Sequence, residues 1–245
     1  VRDEWKPLWG KRAVVEDHFN ELVIDLVNPA GQPERMQLVV RGYNDGFAFC
    51  YKIPDGKGPC VNVQSELTAY NFAGDYTAWF YNGENHNIGP EKLTETDGTR
   101  LPVMTVKAGD KHYMAIHEAC LETGAPLVLQ SKGGESLFSV ASKPTSLSPG
   151  YTSAWRVVLY GTTPGVLTDS HLLELLNPDP DSRYDFSWVK PGLAVWDWRI
   201  NGAVWDGFTY GMSYPSWVRM VDFAAEQGFK YLVSVSYTHL TLPTT

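Results

Sequence analysis

Two short stretches hold the side chains best suited to chemistry: Ile116-His117-Glu118-Ala119 and Trp196-Asp197-Trp198. In the first, a period of two sets Glu118 on the same strand face as Met114 and Ile116, with His117 opposite. A glutamate ending an apolar face is costly if buried alone, so it demands a ligand, a partner or solvent. In the second, alternation along an extended segment puts Trp196 and Trp198 on one face and Asp197 on the other. Indole rings offer stacking surfaces and a carboxylate accepts hydroxyl hydrogen bonds, a pairing that suits a sugar ring. The same three residues serve equally well as core filling plus one structural hydrogen bond. Asn44 and Asp45 read as turn residues, and His86 and His171 stand isolated without an assigned role.

Composition narrows the partners. The 245 residues carry a formal net charge of −8, with Lys and Arg scattered along the chain. Nucleic acid is therefore not expected as a partner, because neutralising phosphates requires a basic patch. No apolar run approaches the roughly 18–20 residues of a membrane span. Cys50, Cys60 and Cys120 form no CxxC spacing, so neither zinc nor a disulfide framework is indicated, and buried free thiols are expected. A Cys50–Cys60 or Cys60–Cys120 pair stays open. Aromatic residues make up 13% of the chain, with nine tryptophans. Most of these belong in a core, and some are candidates for stacking surfaces.

The elements that must position these residues change character along the chain. From residue 12 to about 163, short runs rich in Val, Tyr, Phe, Thr or Trp are bounded by Gly, Pro, Asn or Asp. That pattern predicts strands over 19–27, 35–41, 47–53, 76–81, 103–107, 112–119, 127–132, 137–142 and 154–160. Asn44-Asp45-Gly46 predicts a tight hairpin with positive φ at its centre. Leu172, Leu173, Leu175 and Leu176 predict a short helical turn, started by Asp169 or Ser170. Asn177-Pro178-Asp179-Pro180-Asp181-Ser182 is a Pro-broken linker. Beyond it, 193–198 reads as a strand and Ser213–Gln227 as a helix whose inner face is Trp217, Met220, Val221, Ala224 and Ala225. Gly228 stops that helix, and Lys230–Val233 starts a second, parallel strand. The predicted fold class is an all-β sandwich followed by the first βαβ unit of an incomplete (β/α)8 barrel, a fold that takes about 250 residues when whole. The expected domains are 1–176, the sandwich, incomplete at its start; 177–187, a linker; and 188–233, the start of the barrel. Residues 234–245 carry no charge and read as an adapter sequence translated in frame, the alternative being a flexible C-terminal extension.

Several motifs together resemble glycoside hydrolase family 97. Tyr43-Asn44-Asp45-Gly46-Phe47-Ala48-Phe49 resembles the family's hairpin, and Ile116-His117-Glu118-Ala119 resembles its strand-end glutamate motif. Ser187-Trp188-Val189-Lys190-Pro191-Gly192 with Trp196-Asp197-Trp198 resembles the barrel entry. Asp222-Phe223-Ala224-Ala225-Glu226 resembles the first barrel helix. The resemblance implies an α-glycosidase hydrolysing terminal α-glucosidic or α-galactosidic bonds of an oligosaccharide, with the α-glucosidase placed first. It further implies a calcium ion ligated by Glu118 as part of an incomplete site, and a sugar contact at Trp196, Asp197 and Trp198. The catalytic carboxylates would lie beyond Val233, so no catalytic residue is assigned within the chain, which by itself would be inactive. A barrel remainder and a C-terminal domain are the implied partners of this segment, and a periplasmic or secreted location is implied as well. Cys50 stands where the family usually has an arginine, and Arg199 where many members have tryptophan. The alternative functions are a stand-alone carbohydrate-binding β-sandwich, and a structural module that docks a partner domain.

Overall fold

The computed structural model describes residues 2–27, 33–84 and 87–234. His86 and residues 235–245 of the expected foreign tail lie outside them. Two compact units part between Pro180 and Asp181.

The first unit is built almost wholly from strands. In chain order these are β1 (Arg2–Trp5), β2 (Val15–His18), β3 (Asn20–Val27), β4 (Pro33–Tyr43), β5 (Gly46–Lys52), β6 (Val61–Val63), β7 (Ala69–Asn71) and β8 (Thr77–Tyr81). There follow β9 (Asn87–Lys92), β10 (Asp97–Lys107), β11 (Tyr113–Ala119), β12 (Leu129–Lys132), β13 (Leu137–Val140), β14 (Thr145–Leu147) and β15 (Trp155–Gly161), then helices α1 (Pro164–Asp169) and α2 (Leu172–Leu175). One large sheet runs β3-β4-β5-β15-β11-β10-β12-β13-β7, with β8 and β9 branching from β10. The long β10 makes this folding possible. Its first residues pair with β12 and its last with β11 and β8, across a register shift between Leu101 and Thr105. A strand that changes partners at a bulge turns a corner, and the two arms of the sheet then face one another as in a sandwich.

Two cores result, one on each face of β11. Ile116 packs with Phe80, Met104, Leu129 and Phe138 between the arms. Ala115 and Ala119, on the other face, pack with Ala48, Cys50, Trp155, Val157 and the α2 residue Leu172. The alternation predicted for β11 is therefore realised, with both faces buried. Cys50 is buried and its thiol is pushed up to about 11 by desolvation. Cys120 is half-buried and Cys60 is exposed, unlike the buried thiol expected there, and all three are free.

The β4–β5 hairpin forms where Asn44-Asp45-Gly46 predicts it, with Tyr43 opposite Gly46. Its chemistry differs from expectation. Asn44 and Asp45 are not among the positive-φ residues. Glycine is required for space: a Cβ on Gly46 would stand 2.3 Å from the Val158 carbonyl oxygen and 3.0 Å from Leu172 Cδ2. Gly46→Ala is expected to cost about 2 kcal/mol by overpacking against backbone that cannot yield, read as a lower urea midpoint. An unchanged midpoint would contradict the close approach.

The second unit holds β16 (Ala194–Trp196), α3 (Asp197–Ile200), β17 (Val204–Trp205), β18 (Phe208–Thr209), α4 (Tyr214–Glu226) and β19 (Tyr231–Val233). Strands β16 and β19 are parallel, with Val195 opposite Leu232, and α4 connects them. The helix ends as its sequence predicts. Gly228 takes φ +72°, its N–H reaches the Ala225 carbonyl at 3.3 Å, and Phe229 N–H reaches Ala224 at 2.8 Å. The Phe229 ring also closes edge-on against Phe223, 5.9 Å away, completing a Schellman stop with its hydrophobic contact. The buried stripe is narrower than predicted: Ser216, Met220 and Ala224 are buried, whereas Val221 is exposed. Two parallel strands and one helix give this face nothing further to pack against within the described unit.

Candidate functional site

Glu118 sits near the end of β11 directly opposite Arg156 on β15. Its Oε2 accepts the Leu127 N–H at 2.8 Å and lies 3.5 Å from Arg156 Nη1. The same guanidinium grips Glu66 with two hydrogen bonds, from Nε at 3.0 Å and Nη2 at 2.7 Å. The side chains of Arg156 and Glu118 are only 6% and 11% exposed, so each charge relies on its neighbours rather than on water. Burial alone would pull the Arg156 guanidinium down, but the Glu66 carboxylate overrides it and holds the group above its ordinary value. Arg156 was not singled out from the sequence. Its signal is an arginine inside the apolar run Trp155-Arg156-Val157-Val158-Leu159, which requires a buried acid as its partner.

Two carboxylates against one guanidinium leave this cluster at −1, and Glu118 Oε1 makes no hydrogen bond among the described residues. The open oxygen and the surplus charge fit one donor of a calcium site. Calcium takes six to eight oxygens, and no group of three or more His, Cys, Asp or Glu side chains gathers among the described residues. Glu118 would supply one oxygen here, and the remaining oxygens would have to come from elsewhere.

His117 turns to the other face of β11. Its Nδ1 accepts the Glu118 N–H at 2.7 Å, which fixes the ring as the Nε2–H tautomer. Desolvation lowers its pKa from 6.5, only partly offset by the Glu118 charge. The unfolded chain therefore binds that proton more tightly than the folded one. The associated stability is complete above pH about 6.5 and is lost as the pH falls through the folded value. His117→Asn keeps an acceptor for the Glu118 N–H but does not titrate. The gap between its thermal midpoint and that of the unsubstituted chain should narrow from pH 7 to pH 5. Parallel pH curves would contradict a titrating His117.

At the other predicted site the strand stops two residues early. β16 ends at Trp196, and Asp197-Trp198-Arg199-Ile200 coils into a helical turn, so the strict alternation of Trp196, Asp197 and Trp198 is not kept. A helical turn advances about 100° per residue, which separates the two indoles. Trp196 is 37% exposed, with the Arg199 guanidinium 5.0 Å from its ring centroid, and Trp198 is 53% exposed. Asp197 is 1% exposed. Its Oδ2 accepts the Trp217 indole N–H at 3.0 Å and the Ser234 hydroxyl at 2.6 Å, tying α4 to the end of β19. Oδ1 is buried without a hydrogen bond among the described residues.

A cavity of about 520 Å³ opens elsewhere in the first unit, lined in part by Arg12, His18, Tyr43, Asp45, Asp169 and His171. None of the residues predicted to bind lines it. His171 is buried there with the Trp5 ring edge-on at 5.9 Å.

Residues 1–178 match the family described as Glycosyl-hydrolase 97 N-terminal. The chain belongs to glycoside hydrolase family 97. A retaining alpha-galactosidase of Bacteroides thetaiotaomicron is 28% identical, the match covering 79% of this chain and 35% of that protein. A probable retaining alpha-galactosidase of Streptomyces bingchenggensis is 29% identical over 81% of the chain and 31% of its own length. Among solved structures, a family 97 enzyme from Pseudoalteromonas sp. strain K8 in complex with acarbose superposes over 95% of the chain with a TM-score of 0.71 and 24% identity. A beta-arabinopyranosidase superposes with a TM-score of 0.69 and 19% identity. The chain spans about a third of the length of the curated relatives it matches. The sandwich fold and the family 97 membership are thus as the resemblance implied.

Proposed function

We propose that the chain supplies the N-terminal sandwich and the opening βαβ unit of an α-glycosidase that hydrolyses a terminal α-linked sugar from an oligosaccharide. The observation that carries this reading is the order of parts: a family 97 N-terminal domain over 1–178, then a parallel strand pair joined through one helix. Glycoside hydrolysis takes two carboxyl groups flanking the scissile bond, about 5–5.5 Å apart for retention. Under this reading both come from barrel strands following β19. Two curated relatives, described as a retaining alpha-galactosidase and a probable one, favour an α-galactoside over the α-glucoside that the motifs placed first. Trp196, Asp197 and Trp198 remain the proposed sugar contact: the exposed indoles support it directly, and the buried Asp197 would act through the residues it holds. The test is hydrolysis of aryl α-galactoside and aryl α-glucoside by the product of the intact gene. Release from either supports the reading, and an inert product, or a gene that closes at Thr245, sinks it.

We further propose that Glu118 donates its open Oε1 to a calcium ion. When bound, that cation would supply positive charge that offsets the surplus carboxylate of the Glu66–Arg156–Glu118 cluster. In the intact product, calcium should raise the thermal midpoint by several degrees. Glu118→Gln should abolish that rise while leaving the calcium-free midpoint within a few degrees, and an undiminished rise would remove Glu118 from the site.

A further inference from the structure

Between the end of β16 and the start of α4 lies a six-residue hairpin, Val204-Trp205-Asp206-Gly207-Phe208-Thr209. Val204 pairs with Thr209 and Trp205 with Phe208. The connection is closed further by Gly202 N–H to the Tyr210 carbonyl and Tyr210 N–H to the Ala203 carbonyl, both 2.8 Å. Asp206 and Gly207 form the turn with φ of 50° and 68°. Two left-handed centres make the primed turn whose twist matches its strands, so a hairpin this short holds one shape.

Side chains anchor one face of it. Trp205 and Phe208 are cross-strand partners on the same face, and Tyr210, two residues beyond Phe208, continues it. The Arg219 guanidinium, from the second turn of α4, lies 4.1 Å over the Phe208 ring, and Tyr210 meets Phe208 edge-on at 5.1 Å. Phe208 is thereby held to the helix. Trp205, beside it, is 74% exposed. The Asp206 carboxylate at the tip is exposed and makes no hydrogen bond or ion pair among the described residues. This contrasts with Asp197, whose Oδ2 the fold consumes.

Two features select the ligand chemistry. An exposed indole face next to an open carboxylate matches a pyranose, whose C–H face stacks while its hydroxyls donate. Arg219 and Asp206 cancel in charge, which disfavours the cation that an isolated indole would otherwise attract. Position supplies the rest. The hairpin belongs to the connection leaving the C-terminal end of β16, and barrel sites are built from such connections.

We propose that the β17–β18 hairpin is a sugar platform, the Trp205 indole carrying a neutral pyranose on the leaving-group side of the cleaved bond and Asp206 accepting its hydroxyls. The proposal rests on β16 being a barrel strand of a glycosidase, as argued above. In the intact gene product, Trp205→Ala should raise KM for an α-linked trisaccharide about tenfold more than KM for the glycosyl fluoride, which has no leaving-group ring. Trp205→Phe, which keeps a ring, should recover part of that difference, and Asp206→Asn should lose a smaller part of it. The trisaccharide should also perturb indole emission in the unsubstituted protein and do so less in Trp205→Ala, whereas tetramethylammonium should not perturb it. Equal KM changes for both substrates, no change for either, or a response to tetramethylammonium alone would overturn the platform while leaving the glycosidase standing. An unsubstituted product inert on both substrates removes the glycosidase reading, and the platform with it.

Discussion

Arg156→Met should destabilise the first unit by about 3–5 kcal/mol, the range for breaking a buried ion pair from one side. The size follows from what remains behind. Glu66 loses both of its hydrogen bonds to the guanidinium, at 2.7 and 3.0 Å, and Glu118 loses the cation directly across the strand pair. Two carboxylates would then share a site from which water is largely excluded. Arg156→Lys should recover only part of the loss, because a single ammonium cannot reproduce the two-pronged grip on Glu66. The double variant Arg156→Met/Glu66→Gln should be more stable than Arg156→Met alone, since an apolar side chain facing a neutral amide leaves one stranded charge fewer. Urea unfolding with an unchanged m-value reads all three. A loss below about 1 kcal/mol for Arg156→Met would mean that the acids reach water by another route.

The same cluster marks how far the chain can be read without coordinates. The face that Glu118 occupies follows from a period of two, and the structure keeps it, with Ile116 in one core and Ala115 and Ala119 in the other. Its partner does not follow, because the antiparallel register that sets Arg156 opposite Glu118 is a long-range fact. The β4–β5 hairpin was legible for a reason only half right: glycine stands at 46 because a neighbouring carbonyl occupies the space a side chain would need. At β16 the pattern misled, since Trp196-Asp197-Trp198 alternates like a strand while Asp197 already opens a helical turn. The Asp206-Gly207 pair carried a strong local signal for a primed turn. It lies in the spacer between the two predicted barrel elements, where no strand was expected.

Asp197→Ala tests that corrected site and should cost the second unit about 3 kcal/mol. Two donors, the Trp217 indole N–H and the Ser234 hydroxyl, converge on one buried carboxylate oxygen at 3.0 and 2.6 Å. Hydrogen bonds to a charged acceptor contribute about 1.5–3 kcal/mol each, and removing a common acceptor strands both donors. The effect should fall on this unit because Asp197 opens α3 just after β16 while its donors lie on α4 and just past β19. Losing them loosens the helix from the parallel pair it connects. Asp197→Asn keeps an acceptor oxygen for both donors, which converge on Oδ2, but gives up the charge, so it should lose roughly half as much. Limited proteolysis reads the unit directly, with faster cleavage between Ser187 and Ser234 expected in the order Ala, Asn, Asp. The outcome separates two roles that the sequence left level. If Asp197 contacted sugar itself, Asp197→Ala would weaken oligosaccharide binding at undiminished resistance to protease. If it clamps the βαβ unit, resistance falls whether or not sugar is present. A side chain 1% exposed and already engaged through Oδ2 favours the clamp. The exposed indoles of Trp196, Trp198 and Trp205 are then the proposed sugar contacts, on a frame that Asp197 holds closed.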